Sequence, residues 1–329
     1  MWKGDFLKAG VEANGFDLNL FQGNIYARNL VSFAEDVWYV DSSVTTSGNG
    51  KNWRSAFKTI QEGVDQARSR DAIICRGNFT EEVETRDYDA TLDQNYVTLL
   101  GVPGSIMGTP GSTFSPSWNH ASNSVPCLKI NALGWNVVGF RFYGEAANTK
   151  AAIRVHCFVG DDDTYDAATY AGRIAIRTTI AQCHFWGGLY GIDFLGAPYE
   201  CNVVNNYFQQ MHTATNAARC IINRESSYAI PFRYQVIGNY FLESDGYIDW
   251  NGGTNGCFFV GNMFQGTSKG GYNADPKLDF NGVGIGNMIC NNYLGDTYDN
   301  TGGYYADAGT GNWYGNACED GYSSADPAA

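Results

Sequence analysis

The sequence predicts an all-β chain wound as a single-stranded right-handed parallel β-helix, a solenoid, with an N-terminal capping helix. Three observations predict it: a six-residue phrase that returns at solenoid intervals, a triplet phrase that follows it, and a composition low in charge and high in glycine and aromatic residues. The 329 residues include 40 Gly and 8 Pro, with 15% aromatic and 17% charged residues, a balance suited to many short strands joined by tight turns. Length alone would allow two average domains, so periodicity decides in favour of one.

The first phrase reads VVGFRF from residue 137, IAQCHF from 180, VVNNYF from 203, VIGNYF from 236, FVGNMF from 259 and ICNNYL from 289, with starts 43, 23, 33, 23 and 30 residues apart. Intervals of this size mark stacked repeats. Each phrase is an apolar strand end, a small or amide residue at the third and fourth places (Phe140 excepted), and an apolar residue at the sixth. That order spells strand, sharp bend, strand, because Gly and Asn tolerate the left-handed backbone of a tight bend. Stacked bends would bring Asn206, Asn239, Asn262 and Asn292 into one hydrogen-bonded file, which gives a buried amide its partners.

The second phrase is a triplet: Ile153-Arg154-Val155, Ile192-Asp193-Phe194, Ile248-Asp249-Trp250 and Leu278-Asp279-Phe280, with Ile221-Ile222-Asn223 a looser member. Alternation turns the outer two residues inward and the middle one toward solvent. The varying distance between phrases is loop length, and the acids from Asp161 to Asp166 mark a long excursion. Ahead of the repeats, Ala56, Ile60, Val64 and Ala67 recur at helical spacing. A helix there would cover the open strand edges and apolar core of the first coil, with 71–76 and 96–100 as the first coil strands.

The six-residue phrases resemble the parallel β-helix repeat of the pectate-lyase-like superfamily. The segment Trp38-Tyr39-Val40-Asp41, Gly48-Asn49-Gly50 and Trp53 to Gln61, continued by Asp71 to Val83, resembles that superfamily's N-terminal entry, and the whole is most like its phage virion spike and decoration members. The resemblance covers residues 38–318 and implies the fold; the superfamily spans lyases, hydrolases, adhesins and viral spikes, so it leaves function open. The chain then divides into a docking arm at 1–37, an entry segment with the capping helix at 38–70, the β-helix at 71–318 and a polar C-terminal tail at 319–329. The arm carries Trp2, Phe6, Phe16, Phe21 and Tyr26, too apolar for a disordered tail, and is expected to pack on its own first coil or to dock on another subunit or a larger assembly.

A net charge of −13 argues against a nucleic-acid partner, which needs clustered Lys and Arg, and against an anionic membrane. No stretch reaches the roughly 18 apolar residues of a spanning helix. The first ten residues lack the pattern of a secretory signal. The nine cysteines are odd in number, widely spaced and flanked by apolar residues, and read as buried thiols of a reducing compartment. No Cys-x-x-Cys pair offers a zinc site.

Three middle places are acidic: Asp193, Asp249 and Asp279 are expected in one column on one face, with adjacent coils about 4.8 Å apart. A carboxylate pair about 5 Å apart suits retaining glycoside hydrolysis and one about 6.5 to 9.5 Å apart suits inversion, so these are the candidate catalytic residues. They are equally solvent-facing charges, or partners of a neighbour such as Arg154. A lyase would use an Arg or Lys base, and Arg154, Arg177, Arg219, Arg224 and Arg233 are present outside any lyase-like run. Trp186, Tyr190, Tyr247 and Trp250 are candidate sugar contacts, or ordinary core and interface rings. Asp161, Asp162, Asp163 and Asp166 are a candidate Ca²⁺ site without the glycine and terminal Glu of an EF-hand loop; no other cofactor is expected. His184 shares its place with Tyr207, Tyr240 and Tyr293 and reads as a packing residue.

Compartment and resemblance together lead to a phage virion structural protein: a β-helical spike or capsid decoration protein made in the host cytoplasm, a homotrimer joined to other virion proteins through its arm, with host polysaccharide as a further contact. The alternatives are a polysaccharide-degrading glycoside hydrolase or lyase, and an adhesin-like binding module.

Overall fold

Each coil turns at the third place of its six-residue phrase. Gly139, Gln182, Asn205, Gly238, Gly261 and Asn291 occupy the left-handed region with φ between 54 and 79°. At Gly238 the demand is also steric, since a Cβ would lie 2.4 Å from Asn205 Oδ1. These bends belong to a computed structural model that describes residues 34–85, 94–102, 116–145, 147–157, 175–196, 198–213, 218–224, 233–250, 254–266, 278–280, 284–295, 305–307, 311–318 and 321–323. The arm residues Trp2, Phe6, Phe16, Phe21 and Tyr26 and the acids Asp161, Asp162, Asp163 and Asp166 lie outside the described residues.

Three long sheets stack the coils. Sheet A runs from Val37–Asp41 to Gly311–Tyr314, sheet B from Asn78–Thr80 to Gly321–Ser323, and sheet C from Val83–Glu84 to Tyr305–Asp307. Along the chain a sheet A strand such as Thr179–Ala181 bends into the sheet B strand His184–Trp186, which leads into the sheet C strand Tyr190–Leu195. Within the three sheets the described pairings are parallel, except that Gly321–Ser323 returns antiparallel on Asn316–Cys318. That return departs from the polar tail expected over 319–329, and its physical effect is to pair an edge the last coil would otherwise leave open.

The fourth place of the phrase builds the expected amide file. Asn206 donates through N and Nδ2 to Asn239 Oδ1 at 2.9 and 3.0 Å, Asn239 likewise to Asn262, and Asn262 to Asn292. The file continues one coil further to Asn316. Each Nδ2 also donates to a strand carbonyl, as Asn239 does to Val203 O at 2.8 Å. The sixth place stacks rings inside: Phe142, Phe185, Phe208, Phe241 and Phe264 lie 4.7 to 5.1 Å apart, centroid to centroid. His184 is buried against Tyr207, and among the residues whose side chains are described eight cysteines are buried and free.

The helix is shorter than the apolar spacing suggests. It spans Ile60–Gln66, with a separate 3-10 turn at Trp53–Ser55, because Thr59 and Glu62 form a capping box that starts it after Ala56. Ala56, Ile60, Val64 and Ala67 are all buried. Gly63 sits so close to the first coil that a Cβ would lie 3.0 Å from Val40 Cγ2 and Ile73 Cγ2. The Gln61 amide accepts from Glu84 N at 2.9 Å and donates to Glu84 O at 3.3 Å, so a side chain pairs with the first strand of sheet C.

Sheet A also carries an apolar file on its outer face, separate from the core. Tyr39, Ile74, Leu100, Val138, Ala181, Val204, Ile237, Val260, Cys290 and Tyr314 follow one another in register across ten strands. Ile74, Leu100, Val138 and Ala181 are buried, Val204, Ile237 and Val260 half-buried, and Phe258 and Tyr314 are exposed at 37% and 44%.

Candidate functional site

Sheet C collects the middle places of the triplets. In register from coil to coil come Glu84, Lys129, Arg154, Asp193, Ile222, Asp249 and Asp279. Asp249 and Asp279 are direct neighbours, and Ile222 separates Asp193 from Asp249, as the looser triplet implies. Flanking columns add His156 beside Leu195, and Tyr190 beside Arg219.

Asp193 departs from the solvent-facing place expected of it: it is fully buried. Arg154 Nε donates to its Oδ2 at 3.0 Å and Arg224 Nε to its Oδ1 at 2.9 Å, while Arg224 Nη2 reaches Oδ2 as well. Alternation fixes the face of a residue, not its cover, and the two guanidinium stems provide the cover. Asp249 keeps a partly exposed side chain with Arg219 Nε 3.7 Å away. Lys129 pairs with Glu82.

Five cations therefore meet on one face: Lys129, Lys150, Arg154, Arg219 and Arg224. Burial, reinforced by Arg154 and Arg224, holds the Lys150 ammonium below its usual range, against the pull of Asp193. Burial pushes the Tyr190 phenol up, opposed by Arg224. Burial and the charges of Arg154 and Lys129 push His156 down to about 3, so it is a neutral imidazole. Lys129, Arg154, His156 and Asp193 form a buried floor, and Lys150, Tyr190, Arg219, Arg224 and Asp249 form a partly exposed rim. Such a site can seat a carboxylate, accept a proton at an amine and return one from a phenol.

The arginines singled out from sequence divide. Arg154, Arg219 and Arg224 join sheet C, whereas Arg177 and Arg233 both pair with Glu200 elsewhere on the surface. Lys129 and Lys150 were not foreseen, although Leu128-Lys129-Ile130 has the apolar-charged-apolar form of the other triplets. Tyr247 and Trp250 are buried, contrary to their expected sugar contact. The alternation that turns Asp249 outward turns Trp250 inward, against Tyr234 and Phe259, and Tyr247 packs on Phe241 and Phe264. Trp186 and Tyr190 are half-buried on either side of the Gly187-Gly188 bend, Trp186 on sheet B and Tyr190 on sheet C. Among the described residues no group of three or more His, Cys, Asp or Glu is placed to hold a metal.

No family model and no curated protein matches the chain. Among solved structures it is similar to an alginate lyase from Paenibacillus sp. str. FPU-7, with 14% identity, a TM-score of 0.58 and 87% of each chain covered. It also aligns with pectate lyase Pel9A at 8% identity and a TM-score of 0.41, over 87% of this chain and 68% of that one. The three stacked parallel sheets define the class: a parallel β-helix of pectate-lyase-like fold.

Proposed function

We propose that the chain is a polysaccharide lyase that cleaves a uronate-containing polymer by β-elimination on sheet C. The observation that carries this reading is the meeting of five cations on one face of a chain whose net charge is −13. Arg219 and Arg224 on the partly exposed rim flank the place where a uronate carboxylate would sit, with the charge of the buried Arg154 beneath them, and neutralising that carboxylate makes the adjacent C–H acidic. Lys150, held below its ordinary range, takes the proton. The electron pair left behind forms the C=C bond as the glycosidic C–O bond breaks, and Tyr190 protonates the departing oxygen. Asp193 orients Arg154 and Arg224 and is a positioning residue. That a protein of like fold is called an alginate lyase is in keeping with this substrate class.

The test is ultraviolet absorbance of unsaturated uronate product from alginate and from polygalacturonate. Lys150→Met should lower the rate by about 10²- to 10⁴-fold, the range of a lost general base. If neither polymer yields unsaturated product, the lyase reading fails. Reducing ends released without that absorbance, and lost in Asp249→Asn, would instead assign hydrolysis to the Asp249–Asp279 pair.

A second reading, the virion spike or decoration protein, is favoured by the half-buried stretch of the outer apolar file of sheet A at Val204, Ile237 and Val260, which offers a surface for a homotrimer. Its test is removal of residues 1–33, short of the first sheet A strand and of the Glu35 and Asp36 backbone bonds to Arg70 and Ala72: the shortened protein should fold yet no longer join a particle. The two readings are compatible, since a spike can also cut the glycan it meets.

A further inference from the structure

A groove of about 680 Å³ opens on sheet B, on the other side of the corner from the cationic cluster. Its floor is three strands deep. The outward residues of Asn78–Thr80, Ser117–Asn119 and Arg141–Tyr143 form two columns in register, Asn78, Ser117 and Arg141 in one and Thr80, Asn119 and Tyr143 in the other. Ser117 Oγ donates to Asn78 Oδ1 at 2.7 Å. One wall is fixed in advance: Asn148 Nδ2 donates to Asn123 Oδ1 at 2.9 Å, Thr149 N donates to Asn123 O at 2.7 Å, and His120 Nδ1 lies 2.8 Å from Val125 O.

We infer that this groove binds an uncharged, hydroxyl-rich stretch of polysaccharide, separately from the charged site of sheet C. The chemistry of the lining carries the inference. Amides and hydroxyls on Asn78, Thr80, Ser117, Asn119 and Asn123 offer both donors and acceptors to sugar hydroxyls. Tyr143 supplies a half-buried ring, and Trp186 extends that column by one coil with its ring 5.5 Å away. Rings of this kind present an apolar face with a polar edge, and a groove of this volume is of ordinary ligand size.

Charge selects against a uronate here. Among the described residues the lining holds one cation and one anion, Arg141 and Glu145; Arg141 is buried with its guanidinium 4.7 Å from the Tyr143 ring, and Glu145 is exposed. The corner between the two sites is made by Gly144, Gly187 and Gly188, where backbones stack so closely that a Cβ on Gly144 would lie 2.8 Å from Gly187 O. Trp186 thus finds a role that the sheet C site does not use.

Affinity electrophoresis through gels containing a neutral galactomannan, a neutral xyloglucan or alginate tests the inference. The full chain should be retarded by at least one neutral polymer, and Tyr143→Ala or Asn119→Ala should reduce that retardation about tenfold. Thr80→Arg, at an exposed strand position, should fill the groove and do the same with an unchanged melting temperature. Lys150→Met, at a partly exposed position beside sheet C, should leave neutral-polymer retardation intact whatever it does to lyase activity, so the two readings fail separately. Absence of retardation in both neutral gels, or retardation unchanged in Tyr143→Ala, Asn119→Ala and Thr80→Arg, would overturn the groove assignment.

Discussion

Asp193 holds two guanidinium groups at once, so its carboxylate is the counter-charge for a buried Arg154 and a partly exposed Arg224. Asp193→Asn should cost about 3 to 5 kcal/mol in urea unfolding, the range for breaking a buried pair and stranding its partner. Adding Arg154→Met should recover part of that loss; no recovery would show that the cost lies elsewhere. His184 makes a different kind of test. Burial, with Arg141 nearby, pushes it down to about 4, below the roughly 6.5 of an unfolded imidazole. The unfolded chain therefore takes up a proton that the folded chain refuses, and stability present above pH 6.5 is lost as pH falls toward 4. His184→Tyr, which installs the residue found at Tyr207 and Tyr240, should flatten the decline in urea midpoint between pH 7 and 5; an unchanged slope would acquit His184. At this scale the sequence was half legible. The Arg154–Asp193 pairing was open to it as an alternative, but Arg224 belongs to the irregular coil of Ile221, where no triplet fixes which charge faces out.

The elements were legible because their chemistry repeats. A bend that needs a left-handed residue at one place and a buried amide at the next draws from few residue types, and Asn205-Asn206, Gly238-Asn239, Gly261-Asn262 and Asn291-Asn292 all show it. Asn316 escaped the pattern because its phrase, Trp313-Tyr314-Gly315-Asn316, ends in Ala317-Cys318 and lacks the large sixth residue. The helix ends were misjudged for a local reason: apolar spacing counts Ala56 and Ala67, whereas Thr59, Glu62 and the Glu81 carboxylate that accepts from Ile60 N and Gln61 N decide where the turns begin. Asn239→Leu should cost about 1 to 3 kcal/mol, because it strands the Asn206 donors and the Val203 carbonyl. Asn205→Gly, on the same bend but exposed and at φ 54, should be neutral or stabilising by under about 1 kcal/mol. Equal losses in the two variants would deny the file its special place.

For the whole molecule the stripe on sheet A is the feature with the largest reach. Its less covered half, from Val204 to Tyr314, spans four coil steps of about 4.8 Å, roughly 19 Å in all. A trimer that uses it should run near three times 36.0 kDa in light scattering, and Ile237→Lys with Val260→Lys should release monomers that still melt cooperatively. If the paired variant keeps the parent mass, the stripe is not the contact. Neither the stripe nor the cationic face could be read from the phrases alone. Each is a column drawn from residues 23 to 45 positions apart, and loop lengths had to be known before those residues could be set side by side.

The helix at the start and the reversed strand at the finish also govern how copies can meet. A second molecule arriving head to tail would bring its first strands parallel to the last coil, and on sheet B it would find Gly321–Ser323 running the opposite way. At the other pole Gln61 already occupies the Glu84 edge. A parallel strand from another copy is thereby opposed on sheet B at one pole and at the Glu84 edge of sheet C at the other.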